Sequence, residues 1–160
     1  MTRVRVLVCA AAALALTPAV AHADPPSPVV GVACAADLAD AMTLLPDQTT
    51  YVACRPSGLG YSWTAVQTPF PPNDIWLSYG SPITLHGQGM RNPNLSSGRW
   101  TATPRAGEAT CRVTQTTVVE AGVLAPPQFT EGEKGNPLKV QMLPSLFYAE
   151  LAGDCLWEKD

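Results

Sequence analysis

The sequence has few of the side chains that most often carry out chemistry. Only two of its 160 residues are histidines, and His86 is the only histidine beyond residue 23. The sequence contains no C-x-x-C pair and no glycine-rich loop that ends in Lys-Ser or Lys-Thr. A zinc site of the common types or a phosphate-binding loop would need such patterns. We therefore expect neither a metal nor a cofactor.

Basic residues are also scarce, and only three of them are lysines. Residues 1–23 contain Arg3, Arg5 and no acid, so eight basic residues face 13 acidic ones in the remainder. Such an acidic domain has no electrostatic reason to bind nucleic acid or anionic lipid. We expect the partner to be a protein, a glycan or another component of the cell envelope. The composition, rich in alanine and proline, is typical of a high-GC, actinobacterial-type genome.

Long hydrophobic runs are absent except for one near the N-terminus. Residues 6–16 are all apolar; Arg3 and Arg5 precede them, and the small-x-small sequence Ala21-His22-Ala23 follows. These are the three parts of a secretory signal peptide. The run is shorter than the roughly 20 apolar residues that a membrane span needs. The sequence predicts a signal peptide over residues 1–23, cleaved after Ala23, and a secreted or envelope-associated mature chain without a membrane span.

The cysteines beyond the predicted cleavage site are four: Cys34, Cys54, Cys111 and Cys155. An even number in an exported chain predicts disulfides, and four cysteines allow three connectivities. We favour the sequential pairing of Cys34 with Cys54 and of Cys111 with Cys155.

Three prolines predict that residues 24–30 form a flexible leader. We expect residues 31–160 to form one domain, because this length can bury a core.

Short strands divided by proline and glycine dominate the predicted domain. Apolar residues at helical spacing predict one short N-terminal helix over residues 35–45, which Pro46 ends. Nine strands are predicted after it, over residues 49–55, 61–67, 75–79, 83–86, 99–103, 109–119, 138–143, 147–151 and 155–158. Stretches 68–74 and 123–137 are predicted loops, because proline or polar turn residues dominate them. We expect an all-β antiparallel sandwich or barrel with two disulfides.

Catalytic candidates are few. His86 lies in the sequence LHGQG, which is similar to the His-Gly oxyanion segment of esterases, but no Gly-x-Ser-x-Gly motif accompanies it. Two carboxylates are what a glycosidase needs, and Glu150 and Asp154 are available. However, a strand position and a turn position give these two acids ordinary solvent-facing roles. We therefore expect no catalytic residues.

Aromatic residues are the other candidates for a site. Most are expected to fill the core of a small β-domain. Phe70 and Trp76 flank a proline-rich stretch that is too apolar for an idle loop. We therefore interpret Phe70 and Trp76 as an exposed platform that binds a sugar or a peptide.

The second half of the chain carries a set of short motifs. Residues 97–103 read SGRWTAT, and Cys111 follows. After a polar gap come PLKVQM, FYAEL and the closing GDCLW. Residues 95–160 thus resemble an uncharacterised small β-rich module of secreted proteins from high-GC Gram-positive bacteria. The resemblance implies an all-β fold and supports the pairing of Cys111 with Cys155. In the module an aromatic residue usually follows the first cysteine, whereas Arg112 and Val113 stand here.

Three functions are consistent with these observations. The leading hypothesis is a secreted, non-catalytic protein that binds a partner at the cell envelope or in the medium. The second is a small secreted hydrolase that uses His86 or an acid pair. The third is a carrier of a lipid or small apolar ligand inside the β-domain.

Overall fold

The structure, a computed structural model, describes residues 27–160. The predicted signal peptide and residues 24–26 of the leader lie outside the described residues. The strands are β1 (Ala33–Cys34), β2 (Met42–Leu44), β3 (Tyr51–Ser57), β4 (Gly60–Val66), β5 (Ile75–Ser78), β6 (Ile83–His86), β7 (Gly98–Pro104), β8 (Arg112–Glu120), β9 (Val123–Leu124), β10 (Gln128–Glu131), β11 (Leu138–Met142), β12 (Leu146–Ala152) and β13 (Cys155–Lys159).

The all-β prediction is confirmed, and all nine predicted strands are present. The predicted helix over residues 35–45 is wrong. A single 3-10 turn, Ala36–Leu38, stands at its start. Asp40 then takes a left-handed backbone conformation with φ 64°, which no continuing right-handed helix allows, and β2 follows. The apolar residues at helical spacing therefore do not share one helix: Leu38 ends the 3-10 turn, whereas Met42 lies in the short buried strand β2.

The predicted loop over residues 123–137 is also more ordered than expected. β9 turns back onto β8, with Leu124 opposite Val118, and β10 pairs with β8 from Gln128 to Glu131. The other predicted loop, residues 68–74, contains no strand. No helix within residues 27–160 has the length and apolar character required to cross a membrane.

The strands form two sheets. The larger sheet has the order β1-β4-β3-β2-β5-β13-β7-β11, and the smaller has the order β10-β8-β12-β6 with β9 on β8. Neighbouring strands are antiparallel except β2 and β5, which meet at Met42 and Trp76. One cluster of buried residues draws on both sheets, which therefore pack face to face. Trp76, Trp100 and Trp157 are its largest side chains, each fully buried.

The larger sheet is buried on its second face as well. A second cluster of buried residues lies on this face, away from Trp76, Trp100 and Trp157. It contains Val52, Cys54, Leu77, Leu38 and Trp63. The segment before β2 covers this face. Both faces are buried over residues 52–54 of β3 and 76–78 of β5, so these stretches show no alternation of apolar and polar residues.

Two disulfides hold these layers together, in the predicted pairing. Cys34–Cys54 joins the covering segment to β3. Cys111, just before β8, pairs with Cys155 of β13 and so ties the smaller sheet to the larger one. The turn at Gly153 lets the chain cross between the sheets, because β12 and β13 belong to different ones. Gly153 has φ 94°, and a Cβ there would collide with the carbonyl oxygen of Thr110.

Candidate functional site

The structure brings two of the predicted residues together. Phe70, in the loop before β5, and His86, at the end of β6, line one surface cleft of about 340 Å³. The other residues that line this cleft are Tyr51, Thr68, Pro69, Arg91, Asn92 and Asn94. We call it the aromatic cleft. Its volume falls at the lower end of the roughly 300–1,000 Å³ typical of small-molecule sites.

Two aromatic rings form one wall of the aromatic cleft. Tyr51 of β3 and Phe70 meet edge to face, with ring centroids 4.9 Å apart, and both are half-buried. Trp76 lies behind them, with centroids 6.1 Å from Tyr51 and 6.3 Å from Phe70. Trp76 is itself fully buried, so the interpretation of Trp76 as part of an exposed platform is wrong. Tyr51 takes that place beside Phe70.

Trp76 was expected at the surface because it follows the proline-rich loop. Instead its indole N–H donates a hydrogen bond to the carbonyl of Asn73 at 3.0 Å, while its ring enters the core between the sheets. The hydrogen bond satisfies the one polar atom of the ring, and burial of the remainder is favourable. The apolar residues of this segment thus include the buried ring of Trp76 as well as the half-buried ring of Phe70.

Asn94 fixes the opposite wall of the cleft. The side-chain oxygen of Asn94 accepts a hydrogen bond from the backbone N–H of His86 at 2.8 Å. The backbone N–H of Asn94 donates to the His86 carbonyl at 2.8 Å. Asn94 is buried, with 7% of its surface exposed, so these bonds are shielded from water. The Asn94 carbonyl also accepts the N–H of Asn73, which ties this wall to the loop that carries Phe70.

The hydroxyl of Tyr51 reaches the same asparagine. Burial raises the pKa of Tyr51 above its ordinary value, and a side-chain hydrogen bond with Asn94 partly offsets that rise. The phenol is therefore neutral at physiological pH and able to donate or accept a hydrogen bond. Asn94 thus joins the aromatic wall to the end of β6.

The glycines after His86 have a structural role. The Gly87 N–H donates to the Phe147 carbonyl at 2.9 Å, and the Gly89 N–H donates to the Leu146 carbonyl at 2.7 Å. A Cβ at either glycine would collide with Leu146. The two N–H groups that an esterase-like oxyanion hole would use are already bonded to backbone.

Four polar side chains around the cleft are not engaged by the rest of the protein. Within residues 27–160, the side chains of Thr68, His86, Arg91 and Asn92 form no hydrogen bond and no ion pair. Arg91 and Asn92 are exposed, and His86 is half-buried. The cleft therefore offers one arginine and several other hydrogen-bonding side chains beside an apolar wall.

The residues described around the cleft do not include the side chains most often used for nucleophilic or paired-acid catalysis. No serine, cysteine, aspartate or glutamate lines it within the described part of the chain. Glu150 instead lies in a groove of about 280 Å³ with Arg112 and Phe129, and Asp154 lines a different pocket of about 150 Å³. The structure thus does not bring Glu150 and Asp154 into one site. Residues 27–160 also contain no cluster of three or more His, Cys, Asp or Glu side chains able to hold a metal ion.

Sequence reasoning missed Tyr51, Arg91, Asn92 and Asn94. The stretch RNPN follows the glycines closely, and its asparagines and proline are typical of a turn, so nothing local marks a site. Only the pairing of distant segments, including the bridge between Asn73 and Leu95, brings these residues to Phe70.

Comparisons of the chain with protein-family models, with curated proteins and with solved structures found no match.

Proposed function

We propose that this chain is an exported, non-catalytic binding domain and that the aromatic cleft is its binding site. The observation that carries the proposal is the set of unengaged polar side chains, Arg91 and Asn92 among them, beside the wall of Tyr51 and Phe70. A concave site with an apolar wall and a few convergent polar groups is the usual form of a small-ligand site.

Export is supported by the disulfides and by the signal predicted over residues 1–23. Disulfides persist in oxidising compartments and are rare in the cytosol. The similarity of residues 95–160 to modules of secreted proteins stays a prediction.

Expression of the full chain in a high-GC Gram-positive host tests the proposed export. Intact mass of protein from the medium or the cell wall should give an N-terminus at Asp24, whereas cell-retained protein that begins at Met1 would contradict export.

A hydrolase that uses His86 is the alternative with some local support, because His86 lies in the cleft. Two findings disfavour it: the glycine N–H groups are bonded to backbone, and no carboxylate from residues 27–160 lines the cleft to orient the imidazole. Wild type and His86→Ala should be equally inactive on ester, peptide and glycan panels. Turnover by wild type that His86→Ala abolishes would overturn the non-catalytic proposal.

A carrier of apolar ligands is disfavoured by the packing of the core. Trp76, Trp100 and Trp157 fill the space between the sheets, where a carried lipid would lie. Native mass spectrometry of protein isolated from its own host should therefore show the mass of the bare polypeptide. A retained lipid would support the carrier alternative instead.

Amide chemical shifts test the cleft as a binding site. Mono- and disaccharides and short peptides, each added to labelled protein spanning residues 24–160, should shift the amides of Tyr51, Phe70 and Asn92 before any others. Phe70→Leu should weaken the response, because the ring supplies the wall. Phe129→Leu is the matched control, since Phe129 is an exposed phenylalanine on the other sheet. Shifts confined to other surfaces would contradict the assignment of the cleft.

A further inference from the structure

Arg91 differs from most arginines of the described chain in its charge environment. Arg55, Arg99 and Arg105 each form an ion pair with an aspartate. Within residues 27–160 no ion pair is formed by Arg91, although acidic residues outnumber basic ones in the protein. Among the described residues that line the cleft, Arg91 is the only one that is an arginine, lysine, aspartate or glutamate. The cleft is thus a cationic site on an acidic protein, and it favours a ligand that carries a negative charge.

The rest of the cleft restricts what that ligand can be. Tyr51 and Phe70 need an apolar face to cover them, while Thr68, His86 and Asn92 need hydrogen-bonding partners. A carboxylic acid with only a hydrocarbon skeleton would remove water from these three polar groups without offering them new hydrogen bonds. Such desolvation is costly. A ring with an apolar C–H face and several hydroxyls satisfies both walls at once.

An extended peptide fits the cleft less well. Peptides commonly add to a sheet edge through free backbone N–H and C=O groups. Both backbone groups of His86, at the end of edge strand β6, are bonded to Asn94. The strand end beside the cleft therefore leaves no backbone pair at His86 for a peptide to use.

We infer that the aromatic cleft binds a carboxylated sugar ring, with the carboxylate paired to Arg91 and the C–H face of the ring against Tyr51 and Phe70. The inference rests on the proposed function and narrows its ligand class. A planar guanidinium can donate a hydrogen bond to each of the two carboxylate oxygens at once, which gives direction as well as charge. Hydroxyls of the ring bond to Asn92, His86 and Thr68.

Titration of the oxidised protein spanning residues 24–160 tests the inference. Glucuronate and galacturonate oligomers represent uronic-acid polysaccharides, and N-acetylmuramic acid represents peptidoglycan. Glucose and N-acetylglucosamine are the neutral counterparts. At least one acidic sugar should bind about tenfold more tightly than its neutral counterpart, and added salt should weaken only the acidic one. Whichever acidic probe binds identifies the source of the carboxylate.

Arg91→Gln should remove about tenfold of the affinity for the acidic sugar and abolish the dependence of that affinity on added salt. Arg112→Gln is the matched control. Like Arg91, Arg112 is exposed and forms no ion pair within residues 27–160, but it lies in another groove, on the smaller sheet. Equal affinity for acidic and neutral sugars at the cleft amides would overturn this inference and leave the proposed binding function standing. If peptides alone shift the cleft amides, the sugar assignment is wrong. If no probe shifts them, both proposals fail.

Discussion

The indole N–H of Trp157 donates a hydrogen bond to the hydroxyl of Ser78 at 2.9 Å, inside the core. Ser78 in turn donates to the carbonyl of Gly153 at 2.8 Å, where the chain crosses between the sheets. Both Ser78 and Trp157 are fully buried. One hydroxyl thus satisfies the polar atom of a core tryptophan and holds the crossing turn.

Ser78→Ala should destabilise the protein by about 1–3 kcal/mol, because it leaves the buried indole N–H without a partner and removes the hydrogen bond to Gly153. Urea denaturation, followed by tryptophan fluorescence, measures the change in the free energy of unfolding. Ser81→Ala is the control: Ser81 is exposed in the next turn, and the change should stay within about 0.5 kcal/mol. Equal stability of the two variants would show that the hydrogen bond contributes nothing.

The two disulfides should contribute unequally. Cys111 and Cys155 are 44 residues apart and join the sheets, whereas Cys34 and Cys54 are 20 apart. Loop-closure entropy assigns roughly 4 kcal/mol to the longer loop and roughly 3 kcal/mol to the shorter one. Replacement of Cys111 and Cys155 together by alanine should therefore lower the unfolding free energy more than replacement of Cys34 and Cys54. Urea curves of the two double variants check this order, and the reverse order would contradict it.

Much of the fold is readable from the sequence, because strands that end at proline or glycine are visible without tertiary contacts. β6 and β13 were predicted to within one residue for this reason. β2 was not, because Met42 forms, with Leu38 and Leu45, a set of apolar residues whose spacing also suits a helical face. β10 was missed because its residues are mostly exposed at a sheet edge and look like a polar loop.

The site was less predictable than the fold, for a physical reason. Local pattern indicates that Phe70 and Trp76 are unusual, but both faces of β5 are buried, so alternation does not reveal which way Trp76 points. The cleft depends on Asn94, whose bonds to His86 and Asn73 join segments that are distant in the chain. Such long-range polar contacts leave no periodic trace in one sequence.

The acid stability of the protein should depend in part on Asp47. Its exposed carboxylate accepts the N–H groups of Thr49 and Thr50 at 2.9 Å and the Thr50 hydroxyl at 2.6 Å. The hydroxyl hydrogen bond and then the two backbone ones lower the pKa of Asp47 from 3.8 to about 2. A pKa lowered by folding stabilises the native state above the unfolded pKa, and this contribution is lost as the pH falls toward 2.

Asp47→Asn should therefore flatten the dependence of the melting temperature on pH between about pH 4 and pH 2. Thermal melts across that window measure the slope. Glu120→Gln, at the exposed end of β8, is the control and should leave the slope as in wild type. A carboxyl titration of Asp47 by NMR with an ordinary midpoint would contradict the argument directly.

Asn94 is the residue on which the aromatic cleft most depends. Asn94→Ala leaves the N–H of His86 without its 2.8 Å acceptor and removes the side chain that reaches Tyr51, so we expect a loss of about 1–3 kcal/mol in unfolding free energy. Asn136→Ala is the control, because Asn136 is exposed and its side chain bonds to Glu133. It should change stability by less than about 0.5 kcal/mol.

A second variant at this position, Asn94→Asp, separates the effect on the cleft from the effect on the fold. Asn94→Asp keeps an oxygen for the His86 N–H but replaces the amide group that faces Tyr51 with a carboxylate. The negative charge should raise the pKa of Tyr51 beyond the rise that burial already causes, because it disfavours the phenolate. Spectrophotometric titration of the tyrosines measures this shift, with wild type and Asn136→Asp as references. A folded Asn94→Asp protein with an unchanged tyrosine titration would show that Asn94 does not contact Tyr51 and does not organise the cleft.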